Sequence, residues 1–405
     1  VLFILNSTQI YLNLRTYSIG MKEKTSALHS KYIIDGVSRR LTPAEMLDDC
    51  IASKEEGVVP NNGEFEPVVD ESTDPSPSMK KFQNQNVQGY LATVVSLLDE
   101  PRPFPAAYAD PYTRGRIAKA LLDAVWLNGR FKLGDLTLAA KWKWNGKPLG
   151  NMAAFYSSAE ATADYINNLG ICLSGYSFTE SGRVCQTSFK VGACEKAESP
   201  DEDDIFLPED APFGSEHPVL GRRRAVPDKL AADPDSWIIY VPFDTCDFRL
   251  GGSLLCDALG QNGDNFPEIG DADYFIDCYE VIREFIEDRI AVSAATVCDG
   301  GLLTALKLMC SGDVGADIDI SGIMSAYGED KKLRILFSEV PGAIIQIKDS
   351  DYDYVDAEFL LQDIAYYPIG HPVTGTGEVN VKAGGSGIAN ILQSLLGSQT
   401  SEGED

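Results

Sequence analysis

Histidine is almost missing from this sequence. It occurs only at His29, His217 and His371, which excludes a multi-histidine metal centre. No Cys-x-x-Cys pair occurs, so the usual spacing of a thiolate metal site is absent as well. Positive charge is scarce: 34 Lys and Arg stand against 61 Asp and Glu, for a formal net charge of -27. An acidic surface of that size repels nucleic acid and anionic membranes, so neither is expected as a partner. A long apolar run is lacking too. The stretch Val1-Leu14 is short and is interrupted by Asn6, Ser7, Thr8, Gln9 and Asn13, so no membrane insertion is expected.

What is present suits a soluble-type core. Hydrophobic residues make up 44% of the 405, enough to bury a real interior, and the length fits two domains plus tails. Nine cysteines (Cys50, Cys172, Cys185, Cys194, Cys246, Cys256, Cys278, Cys298 and Cys310) lie scattered through hydrophobic stretches. They are expected to be reduced, buried thiols in a reducing compartment. The first methionine is Met21. The segment Arg15-Thr-Tyr-Ser18 has the look of an organelle presequence end, and an ordinary N-terminal strand or upstream translated sequence is the alternative.

Composition divides the chain. Residues 1–80 are expected to form an N-terminal extension or linker arm, acidic and rich in Pro, Ser and Asn over 50–80. A first folded block covers 82–195 and an acidic linker 196–235, the latter holding Asp201-Glu-Asp-Asp204 and the basic triplet Arg222-Arg-Arg224. The triplet reads as a solvated loop balanced by nearby acids, with phosphate contact as the alternative. A second block covers 236–375, and 376–405 is expected to be a flexible tail apart from a short helix at Ile388-Leu396.

Periodicity supplies the elements. In the first block, Thr113 to Trp126 reads as a helix with Ile117, Ala118, Leu121, Leu122 and Val125 on one face. Leu133-Trp144 alternates as a strand, Ser157-Leu169 is a helix and Arg183-Cys194 a strand. In the second, Trp237-Val241 is a buried strand. Asp271-Val292 is an amphipathic helix with Phe275, Cys278, Ile282, Phe285, Ile286 and Ile290 inward, capped by Asp271 or Asp273. Gly301-Cys310 is a helix, and strands are expected at Arg334-Phe337 and Ala343-Ile347. Helices alternating with strands give an α/β (α+β) fold: a mixed sheet with helices, then an α/β domain.

Two glycine turns organise the second block. Gly251, Gly252 and Ser253 precede the apolar segment Leu254-Leu259, and Gly300 and Gly301 open the next helix. Both turns can offer backbone N–H groups to an anion such as phosphate at a helix start. Asp299, just before the second pair, can hold a metal or cap the helix. A tight turn without a ligand is the plainer reading of either pair.

The order of these turns carries a resemblance. Arg249-Leu-Gly-Gly-Ser253, Asp264-Asn-Phe-Pro267, Asp299-Gly-Gly-Leu-Leu303, Leu336-Phe-Ser-Glu339 and Tyr367-Pro-Ile-Gly-His-Pro372 follow one another. Asp110-Pro111, the helix Ile117-Trp126 and Leu136-Thr-Leu-Ala-Ala-Lys-Trp-Lys-Trp144 fit upstream. Over roughly 86–375 the sequence resembles the C-terminal synthase half of phosphoribosylformylglycinamidine synthase (FGAM synthase), an enzyme of purine biosynthesis. The resemblance implies two AIR-synthetase-type (PurM-like) domains. It implies ATP or ADP and Mg as cofactors, unless none is kept. It implies Arg249, Gly251, Gly252, Ser253, Asp299, Gly300 and Gly301 as nucleotide or phosphate contacts, with Asp299 as the Mg ligand. It also implies a homodimer or a partner chain pairing through the 82–195 sheet, and a cytoplasmic location; a mitochondrion or other organelle is the alternative.

Departures fall on charged positions. The family's Gly-Lys-Asp-Ser stretch reads Gly175-Tyr-Ser-Phe178, its Asn-Trp-Met-Trp-Pro pattern reads Lys141-Trp-Lys-Trp-Asn145, and the first carboxylate of its Asp-x-Ser-x-Gly-Gly turn is Thr296. The Gly-His pair expected before Asp110-Pro111 is not found in Pro101-Arg-Pro-Phe-Pro105. No counterpart of the family's first synthase half or glutaminase domain is found in the sequence, so ammonia is expected to come from elsewhere. Three readings stand: a catalytically degenerate module acting as a structural or interaction subunit; a working fragment or subunit of a purine-synthesis enzyme using ATP; and a nucleotide-binding regulator. In none is catalysis assigned to a particular residue.

Overall fold

The architecture comes from a computed structural model that describes residues 26–51, 69–70, 87–100, 102, 104–127, 131–193, 225–260 and 265–382. The expected helix at 388–396, the triplet Arg222–Arg224, His217, Cys194 and Asp264 lie outside these residues.

The chain begins with a small sheet of β1 (Ile33–Ile34), β2 (Val37–Ser38) and β3 (Val69–Asp70), and a short helix α1 (Pro43–Asp48). Thr42 and Glu45 close a reciprocal capping box at the start of α1, satisfying two end donors at once. Ala27, Leu28, Tyr32, Leu47 and Cys50 are buried in the main core. Residues 26–51, expected in an extended arm, are therefore part of the folded body. They carry enough apolar surface to fold against it, which composition over the whole 1–80 stretch concealed.

Helix α2 (Val87–Leu97) and helix α3 (Ala109–Val125) follow, then strand β4 (Leu136–Trp144), helix α4 (Asn151–Asn168) and strands β5 (Cys172–Glu180) and β6 (Gln186–Ala193). The order across this sheet is β5-β4-β6, with β4 parallel to β5 and antiparallel to β6. All five residues read as the apolar face of α3 are buried, as are Leu136, Leu138, Ala140, Trp142 and Trp144. The period-2 pattern of β4 thus gives one core face, while Lys141 and Lys143 point to the other, exposed face. Three buried polar side chains on the inner side are paired with one another. Trp142 Nε1 and Thr113 Oγ1 both donate to Ser158 Oγ, at 2.9 and 2.8 Å.

Gly175-Tyr-Ser-Phe178, which stands where the family resembled carries Gly-Lys-Asp-Ser, lies inside β5 and pairs with Ala139–Trp142 of β4. Tyr176 and Phe178 are buried. A paired strand offers no bare cradle of N–H groups.

The second sheet has six strands: β7 (Trp237–Pro242), β8 (Ser293–Val297), β9 (Val314–Asp319), β10 (Gly342–Ile347), β11 (Tyr367–Thr374) and β12 (Val379–Lys382). Their order is β12-β9-β11-β7-β10-β8, and only β12 pairs in parallel. Strand β12 lies in what was expected to be flexible tail; its pairing with β9 sets the end of the sheet beyond residue 375. Helices α5 (Leu254–Ala258), α6 (Ala272–Glu287), α7 (Gly301–Met309), α8 (Ser321–Ala326), α9 (Lys332–Phe337) and α10 (Tyr352–Leu361) connect these strands. Asp271 caps α6 by accepting from Tyr274 N, as expected, but the helix stops short of Val292, where Arg289 takes a left-handed φ of 60°.

The expected strand at Arg334–Phe337 is helix α9. Leu333, Ile335, Leu336 and Phe337 are all buried, and a short apolar run of this kind does not distinguish strand from buried helix.

Both faces of the six-stranded sheet are covered. Ile239, Val241, Ala343 and Ile345 face a cluster that includes Phe275 and Phe285 of α6 and runs on without a break through α4 to Trp142 and Trp144. Ile238, Tyr240 and Ile344 face a second cluster with α7, α9 and, from upstream, Leu91 and Val94 of α2. The two blocks therefore share a core rather than folding around separate ones, and α2 packs with the later block. Eight cysteines among the described residues are free thiols, five of them buried.

Candidate functional site

The two glycine turns meet. Both are built where a side chain would not fit. Gly252 has φ 65°, and a Cβ there would sit 2.7 Å from the Phe266 ring; Gly301 has φ 75°, and a Cβ would sit 2.7 Å from the Phe337 backbone. Ser253 caps α5, its side chain accepting from Cys256 N. Asp299 does not cap α7; that position is Gly300, which has no side chain to do so.

Glu339 joins the two turns. Its Oε1 accepts from Leu254 N at 2.8 Å and from Gly300 N at 3.0 Å, one N–H from each turn. Its Oε2 accepts from Arg102 Nη1 at 2.8 Å. Arg102 also donates to Asp257 at 3.1 Å and to the Gly252 carbonyl. Three further N–H groups of these turns are bonded internally too: Gly251 to Asn265 O, Ser253 to Leu250 O and Gly301 to Cys298 O. An internal carboxylate thus stands where the turns would otherwise offer donors to an anion.

Asp299 is held next to this knot. Arg116 Nη1 lies 2.6 Å from its Oδ1 and Arg102 Nη1 lies 3.7 Å away. Both guanidiniums stand over the Tyr112 ring, at 5.7 and 5.9 Å from its centroid. Burial works against the Asp299 charge, but Arg116, Lys119 and Arg102 outweigh it and keep the carboxyl below the usual range. For Glu339 burial dominates and pushes the carboxyl up, with Arg102 pulling the other way. Thr296, at the lost carboxylate position, donates to Asp123 Oδ1 at 2.7 Å and accepts from Trp126 Nε1 at 2.9 Å. A carboxylate from α3 is thereby brought beside it.

Arg249 is elsewhere. Its backbone N donates to Ser338 Oγ, and its guanidinium reaches Asp247 at 3.2 Å and Glu268 at 4.0 Å. It lines a separate cleft of about 330 Å³ with Asp244 and Asp271. Of the residues expected at one site, the structure brings together the turn residues and Asp299, and leaves Arg249 outside.

The cleft that Asp299 does line measures about 490 Å³ and lies between the two blocks. Its cations are Arg102, Arg116, Lys141 and Lys143, and its acids are Asp299 and Glu100. Among the described residues no carboxylate lies within ion-pair distance of Lys141 or Lys143. The sequence held a signal for the lysines, in the altered Lys141-Trp-Lys-Trp144 pattern on one face of a strand. It held none for Arg102 and Arg116, whose neighbours are far away in the chain.

Magnesium does not fit these residues. Asp299 is committed to two guanidiniums, Glu339 to Arg102 and two N–H groups, and among the described residues no group of three or more His, Cys, Asp or Glu could hold a metal ion.

No protein-family model matches the chain. It is 25% identical over 279 residues to the probable phosphoribosylformylglycinamidine synthase, chloroplastic/mitochondrial, of Arabidopsis thaliana, covering 68% of this chain and 18% of that protein. It is 25% identical over 279 residues to phosphoribosylformylglycinamidine synthase of Homo sapiens, covering 68% of this chain and 19% of that protein. The chain spans less than a fifth of the length of these curated relatives. Among solved structures, T. maritima PurL complexed with FGAR shares 14% identity at a TM-score of 0.48, over 69% of this chain and 42% of that one. T. maritima PurL complexed with ATP gives 14% identity and a TM-score of 0.44, over 69% and 40%. Among the described residues no helix is long and apolar enough to cross a membrane. Over about two thirds of its length, the chain is a partial relative of the phosphoribosylformylglycinamidine synthases.

Proposed function

We propose that the chain is a catalytically degenerate derivative of the FGAM synthase scaffold that acts as a structural or interaction subunit. The observation that carries this reading is the Glu339–Arg102 bridge, which takes up one N–H group at each glycine turn inside the protein. The pairing of Asp299 with Arg116 supports it, because the carboxylate that would serve a metal is already neutralised. Amidine formation through a phosphorylated intermediate needs donors for phosphoryl oxygens and a carboxylate for the metal, both free at the moment of reaction. Incubation of the chain with ATP, Mg, ammonia and formylglycinamide ribotide is expected to give no ADP and no amidine. Turnover above the uncatalysed background would overturn the reading in favour of a working subunit.

An interaction role calls for a partner, and the β5-β4-β6 sheet is where we place it. One face of this sheet is buried and the other carries Lys141, Lys143 and Lys190, all exposed. A two-fold homodimer through that face would set like charges against one another, which favours a different chain with an acidic surface. The chain alone is expected to sediment as a monomer at micromolar concentration and 150 mM salt, roughly the physiological range. A tight homodimer that dissociates when Lys141 and Lys190 are replaced by Glu would instead assign the face to self-association.

A further inference from the structure

We propose that the outer face of α10 docks a basic amphipathic helix of a partner protein. This goes beyond the lysine face described above. It is a second surface, of opposite charge, and it stands whether or not that face is used or the FGAM reaction turns over.

Helix α10 is apolar on two sides. Its inner side is accounted for: Val355 and Phe359 are fully buried, and the Phe359 ring lies 5.3 Å from that of Phe285 on α6. Its outer side is not. Tyr354, Ala357 and Leu361 follow one another at spacings of three and four, which sets them in one row along the helix, and Leu360 adjoins them. All four are exposed, Leu360 at 66% and Leu361 at 76%. A surface helix ordinarily puts polar residues opposite its buried stripe, and one that is apolar on both sides is covered on both. A single exposed residue such as Leu149 is ordinary; four on one helix face mark a contact surface.

The rim of the row says what covers it. Over residues 348–365 six acids stand against one cation, Lys348. Asp353 and Glu358 flank the row on α10 itself. Glu284 and Asp288, at the end of α6, are brought beside it. The Tyr354 ring packs 6.2 Å from that of Phe285, and burial, then Glu358, Asp288 and Glu284, push the Tyr354 hydroxyl above its ordinary value. Among the described residues Asp288, Asp353 and Glu358 form no ion pair. An apolar row between such carboxylates complements a helix whose own apolar stripe is flanked by Lys or Arg. A second copy of the chain does not fit, because a two-fold contact through α10 would set carboxylate on carboxylate. Nor does the chain's own apolar stretch Ile388-Leu396, which holds no cation and is followed by Glu402, Glu404 and Asp405.

The probe is a fluorescein-labelled peptide of Leu and Lys, about 18 residues or five helical turns long, with its Leu residues on one face. It is titrated with the full chain and followed by fluorescence anisotropy, beside the same peptide with Glu in place of Lys. The Leu–Lys peptide is expected to bind in the micromolar range and the Leu–Glu peptide not to bind. Because an acidic chain attracts any cationic peptide, the deciding variants leave the charge unchanged. Leu360→Ser and Leu361→Ser should each weaken binding about tenfold, the share of one buried Leu, while Leu149→Ser leaves it as it was. Equal effects of all three substitutions, or no effect of any, would overturn the assignment to α10. Equal binding of the two peptides would overturn the basic partner, and no binding would overturn the surface. A dimer of the chain that Leu361→Ser dissociates would give the row to a second copy. Tighter peptide binding after Leu392→Ser would give it to the chain's own C-terminal stretch. Either result would overturn the proposal of a partner protein.

Discussion

The six-stranded sheet and the β5-β4-β6 sheet treat charge in opposite ways. At the end of the six-stranded sheet, the charged groups close on one another: Glu339 with Arg102, Asp299 with Arg116, and the turn N–H groups with Glu339. On the three-stranded sheet, Lys141 and Lys143 stand on an exposed face without a described carboxylate partner. The first sheet is covered on both sides by apolar clusters, the second on one side only. A buried charge costs several kcal/mol unless it is paired, so the covered sheet had to resolve its charges internally. The open face had no such requirement and can keep charge for a ligand or a partner.

The sharpest way to break this contrast is Glu339→Ala. It would leave Arg102 without its closest carboxylate and two buried N–H groups without an acceptor. A loss of about 3–5 kcal/mol in unfolding free energy is expected by urea denaturation, the usual cost of removing one member of a buried pair. A loss near zero would mean that the closed network does not hold the turns together. Next in size are Lys141→Gln and Lys143→Gln, which should change stability by no more than about 0.5 kcal/mol in urea denaturation because both side chains are exposed.

The smallest expected effect lies in the pH dependence of Asp299. Its carboxyl is held below the usual range in the folded chain, so its contribution to stability is present above the unfolded value near 4 and is lost as pH falls through the lower folded value. Asp299→Asn should therefore flatten the acid limb of the stability curve below about pH 4, measured by thermal melting between pH 2 and 7. An unchanged acid limb would show that the Arg116 pair contributes nothing to folding.

Much of the fold could be read from spacing alone. The alternation in Leu136–Trp144 fixed which residues of β4 are buried, and the 3.6-residue repeat did the same for α3. Trp237–Val241 is buried on both faces and reads as an unbroken apolar run for that reason. Arg334–Phe337 was ambiguous because four apolar residues in a row satisfy either period. The strand Val379–Lys382 gave no clear signal, since it takes its place from pairing with β9 and not from its own composition. Residues 26–51 were hidden by averaging over the polar stretch that follows them.

The site was less legible. Arg249 was drawn into it by its place in a motif, yet its guanidinium turns to Asp247 and Glu268. Arg102 and Arg116 went unnoticed, although they carry the electrostatics of the cleft. The two turns come together, but whether their N–H groups are free depends on Glu339, more than eighty residues from Leu254.

The sequence by itself determined the local elements, the conformational need for glycine at the two turns, and the similarity of about two thirds of the chain to the phosphoribosylformylglycinamidine synthases. These follow from short-range periodicity, backbone sterics and residue order, all of which are written along the chain. Only the tertiary structure decided which charges neutralise one another and which stay open. Coulomb and hydrogen-bond partners are chosen by distance in space, and Arg102, Asp299 and Glu339 become neighbours only once both sheets have packed on their shared core.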